Sequence, residues 1–267
     1  MSTFRFKAAW ASGGALAAGI IATVFGRRRF CVVCARTVPC FLPWRGGWRA
    51  APPLMRELHM IGSDLDHFAC PRCGCTDRDR HLRLYLENTD LGDRFAGARV
   101  LHLAPEPVLE RWIESQLPAR YVRGDLMPSR PGIDRLNLES LPFEPESFDI
   151  VIANHVLEHV TQLDRATGEI RRVLAHAGTA ILQTPWCAGL ARTIEDRAVS
   201  APSAREQLYG QDDHVRLFGG DVFEQIGRTG LVPSPLDHGD VLPGFDAERW
   251  GVNPEEPLML FRKAQVA

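Results

Sequence analysis

Two cysteine pairs carry the clearest chemistry in this 267-residue chain: Cys31-Val-Val-Cys34 and Cys70-Pro-Arg-Cys73, separated by 35 residues. A CxxC turn presents two thiolates from one tight knuckle, and two knuckles supply the four soft ligands that a tetrahedral Zn2+ ion takes. Four thiolates leave no open coordination position, so the zinc they imply is structural rather than catalytic. Cys40 and Cys75 are the alternatives for substitution or for a further nearby thiol. Six of the seven cysteines precede residue 76. An odd total built around CxxC pairs reads as metal binding in a reducing compartment, not as a disulfide framework.

A second group of residues is polar. His155, Glu158 and His159 fall at i, i+3 and i+4, which a helix would gather on one face. Further on, Thr193-Ile194-Glu195-Asp196 and Tyr209-Gly210-Gln211-Asp212-Asp213-His214-Val215-Arg216 are dense in side chains able to bind or move protons. The loop Trp44-Arg45-Gly46-Gly47-Trp48-Arg49 mixes aromatic and basic residues. It could stack on nucleic-acid bases, or its tryptophans could pack the cysteine segment against the next domain; packing is the favoured reading.

The elements that must position these groups divide the chain into three. Residues 1–30 are an apolar then basic leader, 31–95 a zinc-ribbon-like module ending in a helix, and 96–267 an α/β domain. In the first, residues 8–26 are uncharged and are followed by Arg27, Arg28 and Arg29. As a helix they would span roughly 28 Å, near a bilayer's hydrocarbon thickness. Much of the stretch is Ala and Gly, so an amphipathic docking helix competes with a membrane anchor. A cleaved signal peptide is disfavoured because arginines stand where a cleavage site should be. In the second, prolines and glycines break long elements until a helix over residues 77–86, with Asp77 as its expected N-cap.

From residue 98 onward short apolar runs alternate with helical stretches. Strands are expected at 99–103, 121–123, 149–153 and 179–183, with closing strands near 231–232 and 258–262; helices are expected at 108–116 and 166–174. Such alternation implies βαβ units and a mostly parallel sheet. The formal charge of −2 hides an asymmetry: 14 Lys/Arg and 8 Asp/Glu give +6 over residues 1–97, leaving 17 − 25 = −8 for the rest. An acidic catalytic portion argues against a nucleic-acid groove around the active site.

In such sheets ligands bind beyond the carboxyl ends of the strands. Four of these ends are informative: Leu103-Ala104-Pro105-Glu106, Gly124-Asp125, Leu136-Asn137-Leu138-Glu139, and Ala153-Asn154-His155. The phrases LPFEPESFDIVIANHVLEHV and EIRRVLAHAGTAILQTP, with the order and spacing of the elements around them, resemble class I methyltransferases dependent on S-adenosylmethionine (SAM). The likeness covers roughly residues 98–187. With CPRCGCTDRDRHLRLYL, LHLAPE and GQDDHVRLFGGD, the chain looks closer still to a bacterial subgroup with an N-terminal zinc-ribbon-like element.

The resemblance implies a Rossmann-like, mostly parallel seven-stranded sheet with helices on both faces, and SAM as cofactor. It places His102, Ala104, Glu106, Asp125, Asn137 and Asn154 at the cofactor, with Asp125 accepting from the ribose hydroxyls and Asn137 from the adenine amino group. The glycine-rich first loop of the family is replaced by Ala104-Pro105-Glu106-Pro107, where Glu106 would bind the methionine amino group. His155 and His214 are the expected catalytic residues, and Asp213 and Arg216 the expected acceptor-binding ones. Methyl transfer is an in-line displacement that needs a base only if the nucleophile carries a proton.

The expected activity is methyl transfer to a small molecule or a cell-envelope precursor. The alternatives are RNA methylation with the zinc module as recognition element, and a non-catalytic scaffold. The catalytic region is expected in the cytoplasm, with attachment to the inner face of the membrane if residues 8–26 insert. Oligomeric state is not legible.

Overall fold

The front of the chain folds in short pieces because proline and glycine interrupt it repeatedly. A hairpin of β1 (Arg29–Cys31) and β2 (Arg36–Val38) turns through the first cysteine knuckle and is followed by helix α1 (Pro53–Glu57), β3 (Met60–Ile61) and helix α2 (Asp77–Glu87). Next come β4 (Arg99–Leu103), α3 (Pro107–Ser115), β5 (Arg120–Asp125), β6 (Asp134–Arg135), β7 (Phe148–Ala153), α4 (Leu163–Val173) and β8 (Leu174–Ile181). The chain closes through β9 (Trp186–Cys187), α5 (Pro202–Tyr209), α6 (Val222–Gly227), β10 (Leu231–Pro233), α7 (His238–Val241), α8 (Ala247–Trp250) and β11 (Leu260–Lys263). The computed structural model describes residues 28–264. The stretch 8–26, with its expected anchor or docking helix, lies outside the described residues, and no helix among the described residues is long and apolar enough to cross a membrane.

Seven strands form the main sheet in the order β10-β11-β8-β7-β4-β5-β6. All of it is parallel except β11, which runs against both β8 and β10. Period-two alternation sends each strand's side chains to two cores. Leu101, Leu103, Val151 and Ala153 pack with Ala166, Ile170 and Val173 of α4 and with Val222 and Ile226 of α6. Val100, Ile150 and Ile152 pack with Leu82 and Leu86 of α2 and Leu109 and Ile113 of α3. Helices therefore cover both faces, as the sequence pattern requires. The strand expected at 179–183 starts five residues earlier and ends at Ile181.

Helix α2 differs from expectation at its start. Its N-cap is Thr76, not Asp77: Thr76 Oγ1 accepts from the Asp79 amide, while the Asp79 carboxylate accepts from the Thr76 amide at 2.7 Å. This capping box satisfies two otherwise orphaned donors. Asp77 is instead the first helical residue, 1% exposed, and accepts from the Asp64 amide.

The front module is stitched to the sheet domain rather than hung from it. Arg80, fully buried on α2, donates to the carbonyls of His67, Phe68, Cys75, Trp250 and Gly251, and its guanidinium lies 3.7 Å from the centroid of the Phe41 ring. Gly251 sits at φ 61°, and a Cβ there would come within 2.3 Å of Phe41, so only glycine lets the two approach. Strand β3 pairs with β9, Met60 opposite Cys187. Trp44 packs on Phe68, ring centroids 6.2 Å apart, inside the module.

Candidate active site

Parallel pairing sets the carboxyl ends of the central strands level. Leu103 of β4 is in register with Gly124 of β5 and with Ala153 of β7, so Ala104, Asp125 and Asn154 emerge on one rim. The chain order reverses between β4 and β7, the break where α/β sheets open a crevice. Two non-glycine residues take left-handed backbone there: Ala104 at φ 49° and His155 at φ 54°. The turn without glycine thus keeps the conformation glycine favours, with Ala104 N donating to Gly124 O at 2.8 Å. Strained backbone of this kind concentrates at functional sites.

A narrow cleft lies at this rim, its free interior about 20 Å³, room for about one water molecule. From the sheet side it is lined by Glu106, Asn154, His155 and Gln183, and from the opposite wall by Arg78, Asp79, His81, Tyr85 and Glu256. Glu106 ends a buried relay. Tyr121 Oη lies 2.8 Å from His102 Nδ1, His102 Nε2 lies 2.7 Å from Glu106 Oε2, and Asn154 Nδ2 donates to Glu106 Oε1 at 3.4 Å. Burial alone would raise the Glu106 carboxyl, but the His102 hydrogen bond and charge hold it below the usual carboxylate range. His102, expected at the cofactor, is itself fully buried; it orients Glu106 and cannot touch a ligand in the cleft.

The opposite wall comes from helix α2 of the front module together with Glu256 of the segment that leads into β11. Burial pushes the Asp79 carboxyl up to about 6. His81 is bracketed by Glu256 Oε2 at 3.4 Å and His238 Nδ1 at 2.9 Å. Burial and the neighbouring His81 charge take His238 down to about 4. Gln183 ties β8 to this wall by donating to Glu256 Oε1 and the Pro257 carbonyl. Burial pulls Glu256 upward, yet the His81 hydrogen bond keeps its carboxyl below the usual range. None of these wall residues stood among the expected site residues. The signal was present in the run DRDRH (residues 77–81): charged side chains on the same helix as Leu82 and Leu86 must point inward, because that helix packs on the sheet.

Asp125 and Asn137 stand apart from this cleft. Asp125, partly exposed at the end of β5, accepts from the Met127 amide at 2.7 Å, and the next two residues, Leu126 and Met127, are exposed. Asn137 is exposed, and its Oδ1 accepts from the Glu139 amide at 2.9 Å.

Residues 154–160 form successive turns, not the helix that the spacing of His155, Glu158 and His159 implied. The turns still gather the three. His155 Nδ1 lies 3.5 Å from Glu158 Oε1, and Thr184 Oγ1 donates to Glu158 Oε2 at 2.9 Å. Glu158 is buried, 2% exposed. Burial would raise its carboxyl, but hydrogen bonding to His155 and the charges of His159 and His155 hold it well below the usual range. His214, also buried, is brought down to about 4 chiefly by that burial. His214 does not line the cleft; it lies under the 154–160 turns beside His159, and Asp213 is alongside.

Arg216, expected on the acceptor pocket, is 1% exposed. Its guanidinium donates to Glu195 Oε2 and to the carbonyls of Leu157 and Val160, so it braces the 154–160 turns instead of meeting a ligand.

In the front module Cys31, Cys34, Cys70 and Cys73 bring their sulfurs within 4.8 Å of one another. Cys31 and Cys73 Sγ are 3.8 Å apart, the edge of a tetrahedron built on zinc–sulfur bonds of about 2.3 Å. Cys75 Sγ lies 3.4 Å from Cys31 Sγ as a fifth, buried thiol, and its hydrogen bond pulls the Cys31 thiol down. Cys40 has no place in the group.

A family model described as "Methyltransferase domain" matches residues 96–182, so this stretch is a methyltransferase domain. No curated protein sequence matches the chain. Among solved structures, a SAM-dependent methyltransferase from Mesorhizobium loti is 16% identical, covers 67% of this chain and 100% of its own, and has a TM-score of 0.44. The 1,6-didemethyltoxoflavin-N1-methyltransferase of Burkholderia thailandensis, solved with its substrate and S-adenosylhomocysteine, is 15% identical, covers 71% and 80%, and has a TM-score of 0.48. The YcgJ protein of Bacillus subtilis is 15% identical, covers 70% and 99%, and has a TM-score of 0.43.

Proposed function

We propose that this chain, a class I SAM-dependent methyltransferase behind a cysteine-built front module, methylates a small-molecule or cell-envelope-precursor acceptor held in the cleft between strand ends and helix α2. The observation that carries the reading is that cleft: Glu106, Asn154 and His155 on the sheet side face Asp79, His81 and Glu256 on the other. A pocket closed by charged and imidazole side chains suits a compact polar acceptor better than a polynucleotide, whose phosphates need a basic groove.

In this reading SAM lies along the rim with its methionine end at Glu106. That carboxylate, kept ionised by His102, takes the ammonium group. Asp125 accepts from the ribose hydroxyls, and the exposed apolar side chains of Leu126 and Met127 lie next to it for a flat base to cover. The carbonyl of Asn137, exposed beyond β6, is the acceptor for the adenine amino group. His155, one residue past the strand end, orients the acceptor and takes its proton when the nucleophile carries one. SAM supplies an electrophilic methyl group; the protein's part is alignment and exclusion of water. Asp213 and Arg216 act behind the acceptor site by holding the turns that carry His155.

The four thiols fit a structural zinc ion, and the second knuckle leads directly into α2, so the ion would fix the cleft's outer wall.

Calorimetry with SAM and S-adenosylhomocysteine tests the placement. Glu106→Gln and Asp125→Asn are each expected to weaken binding by about 1–3 kcal/mol, the worth of a charge-assisted hydrogen bond. Wild-type affinity in both variants would put the cofactor elsewhere; no binding by the native chain would favour a non-catalytic scaffold.

A further inference from the structure

The side chains beneath His155 have more ligand chemistry than a methyl transfer uses. There the 154–160 turns meet the segment returning from α5. Ligand atoms of Glu158, His159 and His214 lie within 4.8 Å of one another. Asp213 joins them, its Oδ2 3.6 Å from His159 Nδ1. The His159 and His214 rings meet edge to face, centroids 4.7 Å apart.

Two buried polar atoms around this point have no hydrogen-bond partner: His214 Nε2 and Asp213 Oδ1. Buried polar atoms are matched in the great majority of cases, so two neighbouring orphans need a reason. His214 supplies the sharpest. Its Nδ1 lies 2.9 Å from the Tyr209 carbonyl, which can only accept, so Nδ1 carries the proton and Nε2 keeps a bare lone pair. A backbone carbonyl fixing one ring nitrogen so that the other can coordinate is how proteins orient metal-binding imidazoles. Thr184 Oγ1 steadies Glu158 in the same way by donating to its Oε2.

We propose that Glu158, His159 and His214 form a second metal site, for a first-row divalent transition ion, with the Asp213 carboxylate beside it. Two imidazoles with carboxylate oxygen are borderline donors, suited to cobalt, zinc, iron or manganese rather than to an all-oxygen calcium site. Three protein ligands leave coordination positions open, unlike the closed four-thiolate group. The ion would sit one side chain from the cleft, since Glu158 Oε1 is 3.5 Å from His155 Nδ1. Metal binding here does not depend on methyl transfer and is read without it.

The test uses the full-length chain loaded with one equivalent of zinc and titrated with Co2+. The expected result is one further ion per chain, with cobalt ligand-field absorption but no thiolate-to-cobalt charge-transfer band. Glu158→Gln, and the less buried His159→Asn, should each raise the Co2+ dissociation constant at least about tenfold, with zinc content and circular dichroism unchanged. No uptake by the native chain, uptake with a thiolate band only, or unchanged uptake in either folded variant overturns the proposal.

Discussion

At Asp77 the fold works against a carboxylate's charge. Asp77 is 1% exposed, one of its oxygens has no partner, and burial raises its carboxyl to about 8 against an ordinary 3.8. A raised carboxyl means that the folded chain holds this proton where the unfolded chain has lost it. Stability therefore falls as pH rises from about 4 to about 8. Asp77→Asn, which keeps an acceptor for the Asp64 amide, removes that loss. The variant should match the native chain near pH 4 and exceed it increasingly up to pH 8, by at most on the order of 5 kcal/mol. Urea melts across that range check it; a difference independent of pH would mean that Asp77 is ionised in the folded protein. Glu106 is the opposite case, a carboxylate kept charged by His102. The two acids show why the residue scale was only partly readable: both stand beside prolines or arginines in sequence, and only the fold decides which meets a partner.

At the scale of elements, α2 is both the last piece of the front module and one wall of the cleft. Arg80 is its fastener, donating to five carbonyls from three separate stretches of chain. Arg80→Met keeps the side chain's length but leaves buried carbonyls without donors, at an expected cost of about 3–5 kcal/mol by chemical denaturation. A loss below about 1 kcal/mol would show that water replaces the guanidinium. The sheet elements were legible because their apolar runs have period two and their order is regular: β4 falls on the expected residues, and β5, β7 and α3 within a few. What escaped was the function of α2, read only through Leu82 and Leu86. Arg216 escaped for a related reason: in sequence an arginine beside His214 looks like a ligand-binding cation, and nothing local reveals that Leu157, Val160 and Glu195 already occupy it. The spacing of His155, Glu158 and His159 gave the right neighbours through the wrong element, since tight turns bring them together as a helix would.

For the whole molecule, the proposed zinc and the cofactor site are two ends of one structure. Removing the thiol-bound ion with a chelator should release the second knuckle, slacken α2 and weaken SAM binding by about tenfold or more, although no cysteine lines the cleft. Thermal melts and calorimetry before and after chelation, with zinc added back, measure both effects. SAM affinity that survives while the melting temperature drops would confine the ion to local stability.

The β3–β9 ribbon and the grip of Arg80 on residues 250 and 251 also bear on how the chain is made. The front module is the first of these parts to leave the ribosome, yet its partners lie more than 120 positions downstream. During synthesis it must wait, thiols and apolar Phe41 uncovered, until residues 250 and 251 have emerged. Early metal capture by the nascent knuckles would shorten that exposed interval, and translation in zinc-starved cells is where this protein should aggregate first.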